Sequence, residues 1–198
     1  MAWLSEKALT GEFVSLEPLT SEHIAPLAEA VKDGEGWKLW YAAVPLPENM
    51  ENYVNSAIAA AKQGNIAYAV RSHAHDKIVG TTRFYSVDEP NRRAMLGYTW
   101  YAKTVQRSPV NTECKLLMLQ HLFETHAAIA VEFRTHFFNQ ASRTAIERLG
   151  AKLDGILRSH IIMKDGSIRD TVAYSIIASE WPSVRNNLRA KLTPRNAD

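Results

Sequence analysis

Hydrophobic positions change their spacing along the chain, and each spacing predicts an element. From Glu12 to Leu19 they alternate, with Phe13, Ser15, Glu17 and Leu19 on one side and Val14 and Leu16 on the other, which predicts a strand. Thr20-Ser21-Glu22 then reads as a helix cap, and Ile24, Leu27, Ala28 and Val31 recur at helical spacing until Asp33-Gly-Glu-Gly36 stops them. After Trp37-Lys-Leu-Trp-Tyr41, Pro45 and Pro47, a second helix is predicted from Asn49 to Lys62, ended by Gly64. Ile66 to Arg71 and Ile78 to Tyr85 predict an antiparallel pair around His73-Ala-His-Asp76.

A turn at Asp88-Glu-Pro-Asn91 leads into the stretch that organises the rest. Met95 to Tyr101 reads as a strand, Ala102 to Ser108 as a turn, and Pro109 to about His126 as a helix. A strand from Ala128 to Phe137 and a helix from Asn139 to Leu149 follow. Lys152 to Met163 and Asp170 to Ile177 predict a hairpin around Lys164-Asp-Gly-Ser167, since Asp-Gly between apolar runs favours tight turns. Trp181 to Lys191 predicts a short basic helix, with a loose tail over about 192–198. With no repeat, low-complexity tract or linker, residues 1–198 read as one domain.

Two of these helices start directly after strands, at polar junctions. A helix N-terminus leaves N–H groups unpaired and carries partial positive charge, so such a junction suits phosphate. At the first, the amides of the Gln106–Thr112 turn face a candidate anion and Arg107 adds charge; an ordinary connection with an Asn111-Thr112 cap is the competing reading. Ser108-Pro109 reads as N-cap followed by N1, where proline's missing N–H costs little. The second junction is Asn139-Gln-Ala-Ser142, where Asn139 also suits a plain cap.

On these residues the chain resembles the GNAT acetyltransferases. Gln106-Arg-Ser-Pro-Val-Asn111 is similar to the family's pyrophosphate motif, Gln/Arg-x-x-Gly-x-Gly/Ala, with Pro109 where glycine is usual. Asn139-x-x-Ser142 followed by Leu149-Gly150 resembles the second signature of the RimJ/RimL-like branch, which acetylates protein N-termini and other amines. Asp165-Gly-Ser-Ile-Arg-Asp170 and Glu180-Trp181 fall where that branch places them, so the resemblance runs from Gly11 to Trp181. It implies an α/β fold, with a mixed, mostly antiparallel, splayed sheet and helices on both faces. It also implies acetyl-CoA as cofactor, bound by Gln106, Arg107, Ser108, Val110, Asn111 and Thr112. Asn139 is assigned to the pantetheine arm and Ser142 to the thioester end, as proton donor to the departing thiolate. Backbone amides around Trp100 and Tyr101 become the expected oxyanion donors.

Direct transfer to an amine also needs a proton sink. Met95 stands where the branch often has glutamate, so that carboxylate is not carried over. Glu132 and His136 share a face of the next strand and are the candidate relays; Glu132 with Arg134 also suits a structural network. Trp37, Trp40 and Tyr41 are candidate walls of the acceptor cleft, where aromatics attract ammonium groups, or else core residues. His73 and His75 lack the carboxylate or cysteine framework of a metal site, so no metal is expected.

Composition narrows the partners. Lys+Arg 23 against Asp+Glu 21 gives +2, too balanced to imply nucleic-acid binding. A single cysteine, Cys114 within an apolar helix, rules out an internal disulfide and suits a reducing cytoplasm. No basic leader precedes the first strand, and no run approaches the ~18–20 apolar residues of a membrane span. The expectation is a cytoplasmic N-acetyltransferase, monomer or homodimer, acting on a protein N-terminus or a small amine. A catalytically weak acyl-CoA-binding or sensory module is the alternative, because Met95 and Pro109 depart from the pattern.

Overall fold

Alternating runs become strands and 3.6-spaced runs become helices almost wherever the pattern predicts them. The computed structural model describes residues 3–193. Its strands are β1 (Leu9–Thr10), β2 (Val14–Pro18), β3 (Ile66–Ser72), β4 (Lys77–Asp88), β5 (Arg93–Tyr101), β6 (Ala130–His136), β7 (Lys152–Ile162) and β8 (Ile168–Ile177). They form one eight-stranded sheet in the order β1-β2-β3-β4-β5-β6-β8-β7. The helices are α1 (Ile24–Lys32), α2 (Met50–Ala59), α3 (Pro109–Gln120), α4 (Gln140–Leu149) and α5 (Trp181–Leu192). The two-residue β1 has too little pattern to be seen in sequence. The helix expected to reach His126 is α-helical only to Gln120, and His121–Thr125 closes it as a π-turn. Of the expected loose tail, residues 194–198 lie outside the described residues.

All neighbouring pairs are antiparallel except β5 and β6, which run parallel because α3 carries the chain across between them. Their register holds for Arg93, Ala94 and Met95 against Ala130, Val131 and Glu132, and beyond that the strands part. A bulge in β5 shapes the separation: Thr81 pairs Trp100 and Arg83 pairs Gly97, so Tyr98 and Thr99 together oppose Thr82. Tyr98 takes the left-handed conformation there (φ 50°).

One face of the sheet carries the larger core. Tyr68, Phe84, Leu96, Val131, Phe133 and Tyr174 pack there with Cys114, Met118, Leu119 and Leu122 from the helix side and with Trp181 and Leu188 of α5. Each such side chain contributes about 1.5–3 kcal/mol when fully buried. On the other face α1 and α2 bring Leu27, Val31, Met50 and Val54 against Ala67, Ala69, Ile78 and Trp100, and no described residue of β6, β7 or β8 belongs to that cluster. Beyond Trp100 of β5, that face therefore has no helix-packed core and is left uncovered by α1 and α2.

Two buried charges fix α3 to the sheet. The Glu113 carboxylate accepts the N–H groups of Glu12, Phe13 and Val14 at 2.8, 2.6 and 2.8 Å. A Cβ on Gly11 would fall inside that carboxyl group. Lys115 is 4% exposed, and its Nζ donates to the hydroxyls of Thr82 (2.8 Å) and Thr99 (2.7 Å) at the bulge. Burial without a carboxylate lowers its pKa to about 8.

These anchors make two predictions. Glu113→Ala removes charge-assisted hydrogen bonds to three amides and should cost about 2–4 kcal/mol in urea unfolding, with Glu113→Gln losing less. For Lys115, the folded protein releases the proton near pH 8 and the unfolded chain near 10.5. Between these values the unfolded state binds more protons, so wild-type stability rises with pH. Lys115→Met should accordingly be at least as stable as wild type at pH 7, and denaturation repeated at pH 9.5 should show its advantage shrinking.

Candidate active site

The turn between β5 and α3 is built by local hydrogen bonds that leave chosen amides free. Val105 N–H binds Ala102 O and Gln106 N–H binds Lys103 O. Ser108 caps α3: its Oγ accepts Val110 N–H at 3.3 Å and donates to Val105 O at 2.6 Å, with Pro109 at N1. Arg107 stands in the left-handed region (φ 60°). The amides left over are those of Arg107 and Ser108, before the helix, and of Asn111 in its first turn, while Thr112 N–H begins the intrahelical ladder. Val110, expected among the amide donors, spends its N–H on the cap; Gln106 directs Nε2 to Tyr101 O at 3.2 Å instead of outward.

The turn is also held from outside. Asp33, at the end of α1, accepts Thr104 N–H at 2.9 Å and the Thr104 hydroxyl, and Lys103 N–H binds Asp33 O at 3.0 Å. The bonds from Thr104 hold the Asp33 carboxyl below its usual pKa. Gly34 (φ 101°) lies so close that a Cβ would meet Lys103 Cβ at 2.7 Å. Sequence reading treats Asp33-Gly34 as a helix stop and misses this tether.

Inside the cleft, Ala102 N–H binds Val79 O, so strand alternation points Tyr101's N–H and C=O away from β4 and towards the opening. The Gln106 contact to Tyr101 O agrees with that direction. Trp100, one residue earlier, turns its backbone to Thr81 on β4, so of the two expected oxyanion amides only that of Tyr101 faces the cleft. The Tyr101 hydroxyl is buried beside Cys114, and burial raises the pKa of both groups. Cys114 is a core residue.

Across the cleft, His136 ends β6 and is 3% exposed. Phe138 N–H donates to its Nδ1 at 3.1 Å, which puts the proton of the neutral ring on Nε2. Burial, helped by the Arg169 charge and opposed by Asp170, lowers its pKa from 6.5. His136 as placed is a neutral donor, and the expected role of base is not what its hydrogen bonding favours. The loop after α1 reaches over this end: Trp40 meets the His136 ring at 4.9 Å and Phe138 at 6.0 Å, and Tyr41 meets His136 at 6.2 Å. Trp37 instead packs against the α1–α2 core. Sequence spacing alone does not separate Trp37 from Trp40.

The other candidates are spread out. Glu132 sits at the closed foot of the β5–β6 pair, contacting Arg134 and lying 3.9 Å from Arg93. It belongs to the structural network weighed as its alternative role. Asn139 caps α4 by accepting Ser142 N–H at 3.0 Å, so its Oδ1 is occupied and its amide nitrogen remains as a donor. On the open face stand residues that sequence reading missed: Tyr53, Arg83, Tyr85 and Tyr98. His73 bonds Ser15 and Glu12 O, and His75 bonds Ser72, so both are structural.

Comparisons with known proteins agree with this geometry. The acetyltransferase (GNAT) domain model matches residues 14–152. A GCN5-related N-acetyltransferase from Brucella melitensis superposes with TM-score 0.86 at 28% identity, over 98% of this chain and 89% of that one. A structure described as an acetyltransferase from T. thermophilus gives 0.84 at 30% identity, over 96% and 100%. The fold is shared with RimL, a ribosomal L7/L12 alpha-N-protein acetyltransferase solved with coenzyme A (TM-score 0.73, 17% identity, 86% and 98% covered). No curated protein sequence matches the chain. No helix among the described residues is long and apolar enough to cross a membrane. A parted parallel strand pair, free amides at the head of α3 and a match over residues 14–152 make this chain a member of the GNAT family, an acetyl-CoA-dependent N-acetyltransferase.

Proposed function

We propose that the protein transfers the acetyl group of acetyl-CoA to a primary amine, on a protein N-terminus or a small molecule, by direct attack in a ternary complex. The observation that carries this is the opening between β5 and β6, with unpaired amides at the head of α3 on one side and an uncovered sheet face on the other. The group fits: Arg107, Ser108 and Asn111 offer N–H groups and a positive helix end to a pyrophosphate, and Arg107 adds a full charge. Acetyl-CoA supplies an activated acyl thioester. The Tyr101 N–H donates to negative charge developing on the acyl oxygen, and it costs no reorganisation because the bulge already fixes it. The Asn139 side-chain nitrogen positions the pantetheine arm, and Ser142, in the first turn of α4, gives its proton to the leaving sulfur.

The amine enters from the uncovered face, with Trp40, Tyr41 and His136 as a wall. It must attack in its neutral form, and its proton leaves through water, which a Glu132 released from Arg134 would accept. One GNAT domain spans the chain, acting in the cytoplasm, alone or as a homodimer. The sensory-module alternative rests on Pro109 and Met95, and neither blocks the cleft: Pro109 is a regular N1 residue and Met95 lies within the paired foot.

Two measurements test this reading. Acetyl-CoA at ~100 times its dissociation constant should stabilise the fold by about 2.7 kcal/mol in a thermal-shift series. S-acetylpantetheine, without phosphates, should do much less, and equal shifts would remove the turn from the site. Ser142→Ala should lower turnover, followed by thiol release, ~10²–10⁴-fold with acetyl-CoA affinity nearly intact. Unchanged turnover, where chemistry limits the rate, would leave Ser142 a purely structural residue.

A further inference from the structure

Where α2 stops covering the sheet, at the border of the uncovered face, lies a buried cation for which the described residues supply no anion. Arg83 lies on β4 opposite Gly97, immediately before the bulge, and is 8% exposed. Its guanidinium is clasped by two rings, at 4.4 Å from the Tyr53 centroid and 4.7 Å from that of Tyr98. Its Nε and Nη2 are sealed from solvent and have no hydrogen-bond partner among the described residues. Buried donors of native proteins are nearly always paired, and an orphan pair beside a reaction cleft calls for a ligand.

The clasp is built to hold the cation in place. Tyr53 OH bonds Thr81 Oγ1 at 3.0 Å, and both hydroxyls reach the Tyr98 carbonyl, at 3.5 and 3.2 Å, which ties α2 to the bulge. Tyr98 is left-handed, and its ring is half exposed over Arg83. Tyr85 packs against Tyr98 at 5.0 Å, and burial pushes its phenol up to about 12, so no phenolate stands in for the missing anion. Further along the same face Arg169 donates to Thr171 Oγ1 at 3.0 Å, and its charge reaches both Tyr85 and His136. The carboxylates nearby are already engaged, Glu132 with Arg134 and Asp170 with Arg158 and Ser159 N–H. The acceptor groove is thus cationic, the wrong sign for a polyamine or an aminoglycoside.

We propose that Arg83 is an acceptor-recognition residue, and that the acceptor amine carries an anionic group, carboxylate or phosphate, which its guanidinium binds. This rests on the amine-acetylation reading above and names the substrate class for that site. The planar fork of arginine pairs with either oxyanion through parallel N–H bonds. The half-exposed Tyr98 ring is the part of the clasp that must shift to admit it.

The test uses the full chain saturated with acetyl-CoA and three tripeptide amides, Ser-Glu-Glu, Ser-Gln-Gln and Ser-phosphoserine-Gln, with spermidine as a fourth acceptor. One charge-assisted interaction predicts a kcat/KM about 10- to 100-fold higher for an anionic peptide than for the neutral one, with spermidine poorest. Whether the glutamate or the phosphoserine peptide leads identifies the oxyanion. Arg83→Gln should erase the preference by raising KM for the anionic peptides, leave kcat for Ser-Gln-Gln within a few fold, and keep the wild-type acetyl-CoA shift. Arg83→Lys should recover part of the preference. Equal rates for neutral and anionic peptides in the wild type, or a loss in Arg83→Gln that is the same for all acceptors, would overturn the assignment. Calorimetric titration of the same peptides into protein saturated with coenzyme A separates this from the amine-acetylation reading. Arg83-dependent anion-selective binding without turnover would sink that reading and keep the subsite; unselective binding would sink the subsite itself.

Discussion

The parting of β5 and β6 is the constraint on which the rest of the structure depends. Parallel strands that stayed paired would satisfy every backbone group and leave no room for a thioester. Here the register ends after Met95 and Glu132, and the bulge at Tyr98 and Thr99 bends β5 away while turning the Tyr101 N–H into the gap. The cost is a row of unpaired backbone groups and a left-handed tyrosine, both of which disfavour the fold by themselves. What offsets that cost must come from packing elsewhere, and it does. The larger core lies under both strands, on the side away from the acceptor groove.

Side-chain anchors then set the geometry that packing alone leaves loose. Hydrophobic burial is non-directional, so it can press α3 onto the sheet without deciding where its first turn points. Glu113 decides one coordinate by gripping three amides at the start of β2, and Lys115 decides another by gripping Thr82 and Thr99 at the bulge. Asp33 decides the third by holding Thr104 in the turn. All three are charged groups whose burial or engagement costs desolvation energy. They persist where a displaced amide or carbonyl of even about 1 Å would matter to chemistry.

Which features were legible in sequence follows from whether their cause is local. Helix and strand positions were legible because 3.6- and 2-residue spacing is a property of neighbouring residues, as was the Ser108-Pro109 start of α3. The bulge was not: nothing in Leu96-Gly-Tyr-Thr-Trp marks Tyr98 as left-handed, since its cause is the mismatch with β4. Lys115 reads as an ordinary surface charge on a helix until Thr82 and Thr99, from two strands, close over it. Arg83 reads as an outward strand residue until Tyr53 arrives from α2. Trp37 and Trp40 sit three apart in sequence, yet one joins the core and the other meets His136, because the loop turns between them. In each case the missing information is long-range.

Pro109 shows how a departure from a motif can be absorbed. Glycine is favoured in a phosphate turn for positive φ or for close backbone approach. In this turn the left-handed residue is Arg107, two positions earlier, so position 109 faces no such demand. At N1 a proline surrenders an N–H that the helix would not have used, and its φ is already helical. The turn loses one donor to a phosphate but gains a fixed backbone, and the Ser108 cap on either side of it, to Val105 O and from Val110 N–H, is correspondingly well defined. On the proposed reading of this turn, the donor given up at 109 leaves the amides of Arg107, Ser108 and Asn111, with the Arg107 charge beside them, to meet a pyrophosphate.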